Sequence, residues 1–316
     1  MKILIVGCGA IGKLFGVKLA RGGHAVLFLD RDPEIVKAIN LNGIQLIKLR
    51  DEDPETDAPI RLPATADGAS VDSCDLCILA VKGYSTAAAT RSIRHLVSRE
   101  SPILTIQTGL GNIETMAEII DRSYILGGVT YLGATSLSGS KIRHAGVGQT
   151  LIGELEGSMT ERVKEVKKAF DASGVRTEVS DNIVSHIWSK TLVYAAINPL
   201  TAMLRLKNGH LVQKMESIAL AKRLIDEGRL VAQGYGVQLP QVDPYDLFLE
   251  VCRNTEENLS PMLQDILSSR LTEVESLNGA IHNLGKLRGI STPLHQAMTE
   301  FIHLLEKWGS GRDYGA

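Results

Sequence analysis

Short apolar runs alternate with amphipathic stretches over roughly the first 180 residues, and helical periodicity alone follows. Lys2–Val6 (KILIV) is a β-branched apolar run that ends at Gly7, and a helical pattern then runs from Ala10 to Arg21 and stops at Gly22-Gly23. His24–Leu29 (HAVLFL) reads as a second strand. This unit of about 30 residues has the length that a right-handed crossover needs, so its two strands are predicted to be parallel and adjacent. Leu76–Val81 is apolar throughout, as a buried parallel strand should be. Ile103–Ile106 and Tyr124–Val129 continue the series, with helices at Ala87–Val97 and Asn112–Ile120 between them. Ile44–Leu49 and Ile60–Leu62 are expected to form a small hairpin around the acidic loop Arg50–Pro59.

The pattern changes after Gly133. Thr135–Ile152 is rich in Gly and Ser with short β-like pieces (KIRHA, QTLIG), a helix follows at Thr160–Ala172, and a short strand at Arg176–Val179. From Asp181 on, the predicted helices are Asp181–Ala196, Pro199–Leu204, Lys214–Gln233, Tyr245–Arg253, Pro261–Leu287 and Pro293–Lys307. The fold class read from this order is α/β, with a doubly wound parallel sheet at 1–180 and an all-α C-terminal domain at 181–316. The Gly-rich end of the chain, WGSGRDYGA, is expected to be loose.

Composition narrows the function. With 44% hydrophobic residues the chain can bury an ordinary core. A net charge of −2 and no basic run exclude a nucleic-acid partner, so any anionic ligand must be drawn by local charges. Cys8, Cys74, Cys77 and Cys252 are too few for a disulfide scaffold. Cys74 and Cys77 form a C-x-x-C that straddles the entry to a strand rather than opening a helix, which reads as two buried thiols. No second Cys/His pair stands near them, so no metal site is expected. No signal-peptide pattern and no run of about 18 apolar residues occur, so no membrane association and a cytoplasmic setting are expected.

The first site lies in the opening strand–helix junction. Gly7-Cys8-Gly9-Ala10-Ile11-Gly12 matches G-x-G-x-x-G where a strand ends and a helix begins, the context that gives the motif meaning. Gly7 permits the tight turn, Gly9 lets the backbone approach a pyrophosphate, and Gly12 packs helix on strand. The helix N-terminus then offers N–H donors to the phosphates. The N-terminal domain is therefore a Rossmann dinucleotide-binding domain. Asp30 ends the second strand 18 residues beyond Gly12, where a carboxylate takes the adenosine ribose and favours NAD; the adjacent Arg31 can accept the extra phosphate of NADP instead. On the residues alone, both cofactors stay open.

The second site lies in IWSKTLVYAAINPLTAML. Lys190, Tyr194 and Asn198 fall at i, i+4 and i+8, which places them on one helical stripe. A Lys flanked by Trp, Ile, Val and Ala is partly desolvated, which lowers its pKa toward the range of proton transfer. Asn198-Pro199 reads as an N-cap followed by Pro at the first helical position. The plain alternatives are a snorkelling Lys and a purely structural cap.

From its first residue to about Gly289 the chain resembles the ketopantoate reductases (2-dehydropantoate 2-reductases). The resemblance is carried by GCGAIGKLFG with GGHAVLFLDR, AVKGYST, QTGLGNIE, HAGVGQTLIGE, IWSKTLVYAAINPLTAML and SPMLQDILSSRLTEVESLNG. It implies reduction of the C2 carbonyl of ketopantoate to D-pantoate by NADPH, on the way to pantothenate and coenzyme A. It makes Lys190 the general acid and Glu273, expected on the helix that starts at Ser260-Pro261, the group that grips the substrate hydroxyl. Lys82, at the carboxyl end of a buried strand, is implied near both cofactor and substrate, with Thr108 and Glu273 beside the cofactor and Tyr194 and Asn198 on the substrate side. Arg31 matches the Arg that holds the 2′-phosphate, so NADP(H) is the expected cofactor, with NAD(H) as the alternative. A homodimer through the helical domain, which also takes the substrate, is implied as well.

Three positions depart from the family pattern. Gln107-Thr108-Gly109 stands for Q-N-G, Tyr194 for an Asn, and Pro261 for a Ser. They leave a second expectation open, a reductase of the same type acting on another small 2-oxo acid. A third, of another class, is a non-catalytic dinucleotide-binding sensor.

Overall fold

The computed structural model describes residues 1–47 and 58–309. The chain divides into two compact units: residues 1–107 with 112–183, and residues 108–111 with 184–316.

In the first unit the chain runs β1 (Lys2–Val6), α1 (Ala10–Arg21), β2 (Ala25–Leu29), α2 (Pro33–Asn42), β3 (Gln45–Ile47), β4 (Ala64–Thr65), β5 (Leu76–Leu79), α3 (Thr86–Ile93), β6 (Ile103–Thr105), α4 (Asn112–Ala117), β7 (Ile125–Thr130), β8 (Gly133–Ser136), β9 (Lys141–Gly146), β10 (Thr150–Glu154), α5 (Glu161–Ala172) and β11 (Thr177–Val179). Eight strands form the main sheet in the order β11-β10-β7-β6-β5-β1-β2-β4. From β4 to β7 neighbouring strands are parallel, and β1 pairs with β2 from Lys2↔Ala25 to Val6↔Leu29 as the crossover rule requires. β10 joins antiparallel to β7, because only the β8–β9 pair lies between them and no crossover helix carries the chain back. The core joins Ile3, Ile5, Ile78, Leu104 and Leu126 of the sheet to Phe15 of α1 and Phe170 of α5, whose rings meet edge to face at 5.5 Å.

The expected hairpin near residue 50 forms differently. β3 pairs parallel with β9 in a separate three-stranded sheet, and among the described residues one antiparallel bridge, Ile44 with Ile60, links the two expected arms. The strand-forming face of Gln45–Ile47 is thus satisfied by a distant partner, a register that local pattern does not encode. Residues 48–57, which take in most of the expected loop Arg50–Pro59, and the tail beyond 309 lie outside the described residues.

The second unit is helical: α6 (Ile183–Leu204), α7 (Met215–Gly234), α8 (Pro244–Asn254), α9 (Pro261–Leu267), α10 (Asn278–Leu287) and α11 (Pro293–Gly309). Its core gathers Val193, Ile197 and Leu200 of α6 with Leu224, Phe248 and Met298. Two sequence expectations are corrected here. α6 does not break at Asn198-Pro199 but runs through with Pro199 inside it, so Asn198 is no N-cap. The long helix expected over Pro261–Leu287 is instead α9, a 3-10 turn at Val274–Ser276 and α10. α9 stops because Ser269 takes a left-handed conformation (φ 52°), with Arg270 N–H donating to Asp265 C=O and Ser269 N–H to Ile266 C=O, the Schellman arrangement that normally uses Gly.

Candidate active site

The nucleotide loop is built by β1 and α1. Gly7 has φ +100°, and a Cβ there would lie 2.7 Å from Val81 Cγ1. A Cβ on Gly12 would lie 2.0 Å from Gly7 C=O, so the turn closes only with Gly at both positions. Cys8, Ala10 and Ile11 fill the motif between them, with Cys8 fully buried. Around Gly9 the opposite holds: nothing lies within 4 Å of its Cβ position, and no side chain caps α1. The loop thus leaves an open approach over uncapped N–H groups, which fits a dinucleotide pyrophosphate.

Asp30, at the end of β2, braces this loop. One carboxylate oxygen accepts the Cys8 N–H at 2.6 Å and the other the Asp32 N–H at 3.0 Å. Lys13, directly after the motif, is buried beside Cys8 and Asp30; burial lowers its pKa while both neighbours oppose the change. The sequence reading did not single out Lys13, whose signal is a Lys at a position that faces the core. Arg31 is exposed. Lys82 follows β5, half-buried, at the start of a 3-10 turn. Its preceding residue is pinned: Gln107 Nε2 donates to Val81 C=O at 2.9 Å and to Thr86 Oγ1 at 2.8 Å, and Gln107 Oε1 accepts Thr105 Oγ1–H at 3.0 Å. Gln107 therefore ties β6 to the segment that carries Lys82.

In the second unit, α6 carries Lys190, Tyr194 and Asn198 on one stripe, as their spacing predicts. Lys190 is only 7% exposed, and burial pushes its pKa from 10.5 down to about 8, with the Glu273 carboxylate opposing the change. Its Nζ stands 5.3 Å from the centroid of the Tyr194 ring. Tyr194 is itself pushed up to about 12, chiefly by burial. Asn198 is 4% exposed, and its Oδ1 is buried without a hydrogen-bond partner among the described residues. An unmet buried amide oxygen two helical turns beyond Lys190 is a group suited to a polar ligand.

Glu273 lies outside any helix, just ahead of the Val274–Ser276 turn, whose Ser276 and Leu277 N–H groups donate to Glu273 C=O. Ser276 C=O accepts the Leu110 N–H at 2.8 Å, so the Thr108–Gly111 segment belongs to the unit that holds Lys190 and Glu273. Pro261 is exposed at the first position of α9. The preceding Ser260 caps that helix through Leu263 N–H and accepts Thr201 Oγ1–H of α6 at 2.6 Å. Among the described residues no cluster suits a metal ion, and no helix is long and apolar enough to cross a membrane. Cys74 and Cys77 are buried thiols with sulfurs 3.3 Å apart.

The chain has relatives among known proteins. Residues 3–157 match the family model described as ketopantoate reductase PanE/ApbA, and residues 182–306 match that of its C-terminal part. The chain belongs to the ketopantoate reductase family. It is similar to the 2-dehydropantoate 2-reductase of Pyrococcus abyssi, at 36% identity over 93% of this chain and 94% of the relative. That of Halobacterium salinarum is 31% identical over 98% of this chain and 100% of the relative. Among solved structures, D-mandelate dehydrogenase with NADH and anilino(oxo)acetate superposes with a TM-score of 0.92 at 25% identity, covering 98% of this chain and 100% of that one. A PanE/ApbA family ketopantoate reductase from Ralstonia eutropha gives 0.87 at 27% identity, with the same coverage.

Proposed function

We propose that this ketopantoate reductase family member is a 2-dehydropantoate 2-reductase, reducing the C2 carbonyl of ketopantoate to D-pantoate with NADPH. The observation that carries the reading is Lys190, buried on α6 with its pKa lowered to about 8 beside Glu273. When bound, the reduced nicotinamide supplies the hydride. The chain's own residues do the rest. The Gly7–Gly12 loop and the N-terminus of α1 hold the pyrophosphate, with Arg31 and Lys82 supplying positive charge to the cofactor. Lys190 Nζ, itself buried, gives its proton to the carbonyl oxygen as negative charge develops there, and until the transfer its charge stabilises that oxygen. Asn198 Oδ1, which has no partner among the described residues, accepts a substrate hydroxyl, and Glu273 both accepts a hydroxyl and favours the protonated Lys190. Thr108 offers a hydroxyl in the place of an amide.

We further propose that the enzyme works in the cytoplasm as a homodimer through its helical unit. An exposed apolar stripe on α11, Phe301, Leu304 and Trp308, supports the dimer. Light scattering of the purified protein tests it, and a monomer at micromolar concentration would end that part of the reading.

A second reading, reduction of a different 2-oxo acid, is favoured by Tyr194, whose ring stands beside Lys190 where the family pattern has an Asn. The likeness to D-mandelate dehydrogenase with NADH supports it too. The deciding experiment is the initial rate of cofactor oxidation with ketopantoate, using NADPH and NADH in parallel, against a panel of 2-oxo acids. Efficient turnover of ketopantoate with NADPH is expected. Turnover of another panel member in its place selects the second reading, and cofactor binding with no turnover of any selects a dinucleotide sensor.

A further inference from the structure

Proline inside a helix leaves the carbonyl four residues back without its donor. In α6 that carbonyl belongs to Ala195, on the turn between Tyr194 and Asn198. It is not left bare. Asn278 Nδ2, from the first turn of α10, donates to Ala195 C=O at 2.8 Å. The same nitrogen lies 3.1 Å from His295 Nδ1, and His295 Nε2 lies 2.9 Å from Leu224 C=O. A carbonyl at each end fixes every proton in this chain of bonds. His295 carries its proton on Nε2, accepts at Nδ1, and Asn278 must present its NH2 rather than its oxygen. His295 and Asn278 are both fully buried, and the Glu227 carboxylate accepts the Leu294 and His295 N–H groups, which fixes the His295 backbone.

The placement of Asn278 matters as much as its bond. It lies five residues after Glu273, at the end of the turn whose Ser276 C=O receives Leu110. Its Oδ1 is buried without a partner among the described residues, while its NH2 meets two, so the donors carry its bonding.

We propose that Asn278 is a positioning residue for the reduction: its amide stands in for the N–H that Pro199 lacks and fixes the Lys190–Asn198 stripe against the turn that carries Glu273. The proposal rests on Lys190 as the general acid. It gives Pro199 and Asn278 a coupled role, which a double-mutant cycle isolates. Pro199→Ala restores a backbone N–H to Ala195, so the amide of Asn278 becomes dispensable in that background.

The test compares the parent, Asn278→Ala, Pro199→Ala and the double variant, by kcat, by cofactor affinity, and by the ionisation of Lys190 followed by NMR of labelled lysine in the cofactor-free protein. Asn278→Ala is expected to lower kcat by about tenfold or more with cofactor affinity kept, since small displacements of reacting groups carry losses of that size. The Lys190 ionisation should move up toward its ordinary value as water reaches it. Pro199→Ala should keep turnover, and the double variant should regain most of what Asn278→Ala loses. An equal loss in both backgrounds overturns the proposal, as does an Asn278→Ala variant with parental kcat and Lys190 ionisation. Should Asn278→Ala not fold, the double variant decides alone: a folded, active double supports the proposal, and an unfolded or inactive one overturns it. If the parent reduces no 2-oxo acid, the functional reading fails, while the Lys190 ionisation in the four proteins still tests the coupling.

Discussion

Lys190 Nζ stands 5.3 Å from the ring centroid of Tyr194, one helical turn further along α6. The ring offers the ammonium a π face, while burial, opposed by the Glu273 carboxylate, lowers the Lys190 pKa from 10.5 to about 8. At about 1.4 kcal/mol per pKa unit, holding that charge in the folded protein costs about 3 kcal/mol. Such a cost is what a proton-donating role for Lys190, as proposed, would require. Lys190→Met should therefore lower kcat by roughly a hundredfold or more, leave cofactor binding in place, and raise unfolding stability by about 1–2 kcal/mol. Steady-state kinetics and urea unfolding check both halves. A variant that loses stability and keeps its rate removes Lys190 from the reaction.

The same shift sets a pH dependence. Lys190 donates only when protonated, so kcat for reduction should hold steady at neutral pH and fall as pH rises through about 8. Oxidation of the hydroxy acid needs the free amine and should rise over the same range. Stability carries the opposite sign from that of a paired Lys. Between about 8 and 10.5 the unfolded chain holds a proton that the folded one has released, so stability contributed by this group increases with pH in that window. Lys190→Met should flatten both trends, and a base limb of kcat that survives the substitution would assign it to another group.

Much of this was legible in the chain. The β1–α1–β2 unit, its glycine motif and the Lys190–Tyr194–Asn198 stripe are local patterns of period and spacing, and all three stand as the sequence predicts them. What local pattern missed depends on partners far along the chain. Pro199 reads as a helix start because nothing nearby replaces its N–H; the replacement, Asn278, lies 79 residues on. Glu273 reads as helical because Ser268-Ser269 looks no worse than a poor stretch of helix, yet Ser269 adopts the left-handed turn that ends α9. The bonding of Asp30 to the Cys8 N–H needs the loop to be folded before it can be seen.

That bond shapes the cofactor prediction. Asp30 spends both carboxylate oxygens on backbone N–H groups, which makes it a support of the loop, while Arg31 is exposed and is the residue proposed for a 2′-phosphate. Arg31→Ala should raise the KM for NADPH by about tenfold and leave NADH nearly unchanged. Asp30→Asn presents an NH2 where one N–H must be accepted, and should weaken both cofactors together. Titrations of each variant with each cofactor read this out. An NADPH-to-NADH ratio untouched by Arg31→Ala would move the phosphate contact elsewhere.

The left-handed Ser269 offers a stability test clear of the chemistry. A side chain at φ 52° is strained, and Gly relieves that strain at some cost in unfolded-state entropy. Ser269→Gly should add about 0.5–1 kcal/mol to unfolding stability with kcat unchanged. A loss of stability would mean that the hydroxyl makes a contact worth more than the strain.

The proposed role of Tyr194 in choosing among 2-oxo acids is testable. An Asn there, as the family pattern has it, would give a substrate two polar groups in a small volume, whereas the ring gives one apolar wall beside Lys190. Tyr194→Asn should therefore raise kcat/KM for ketopantoate relative to an aromatic 2-oxo acid by about tenfold, the size expected when a pocket wall changes shape and polarity. Tyr194→Phe separates ring from hydroxyl. If the wall is what selects, Phe keeps the parental ranking of substrates and Asn reverses or narrows it. If Phe moves the ranking as far as Asn does, the hydroxyl and not the ring is the selecting group, and the buried phenol must then bond directly to substrate. A ranking that neither variant changes would take Tyr194 out of the pocket and leave Thr108 and Pro261 as the departures that matter.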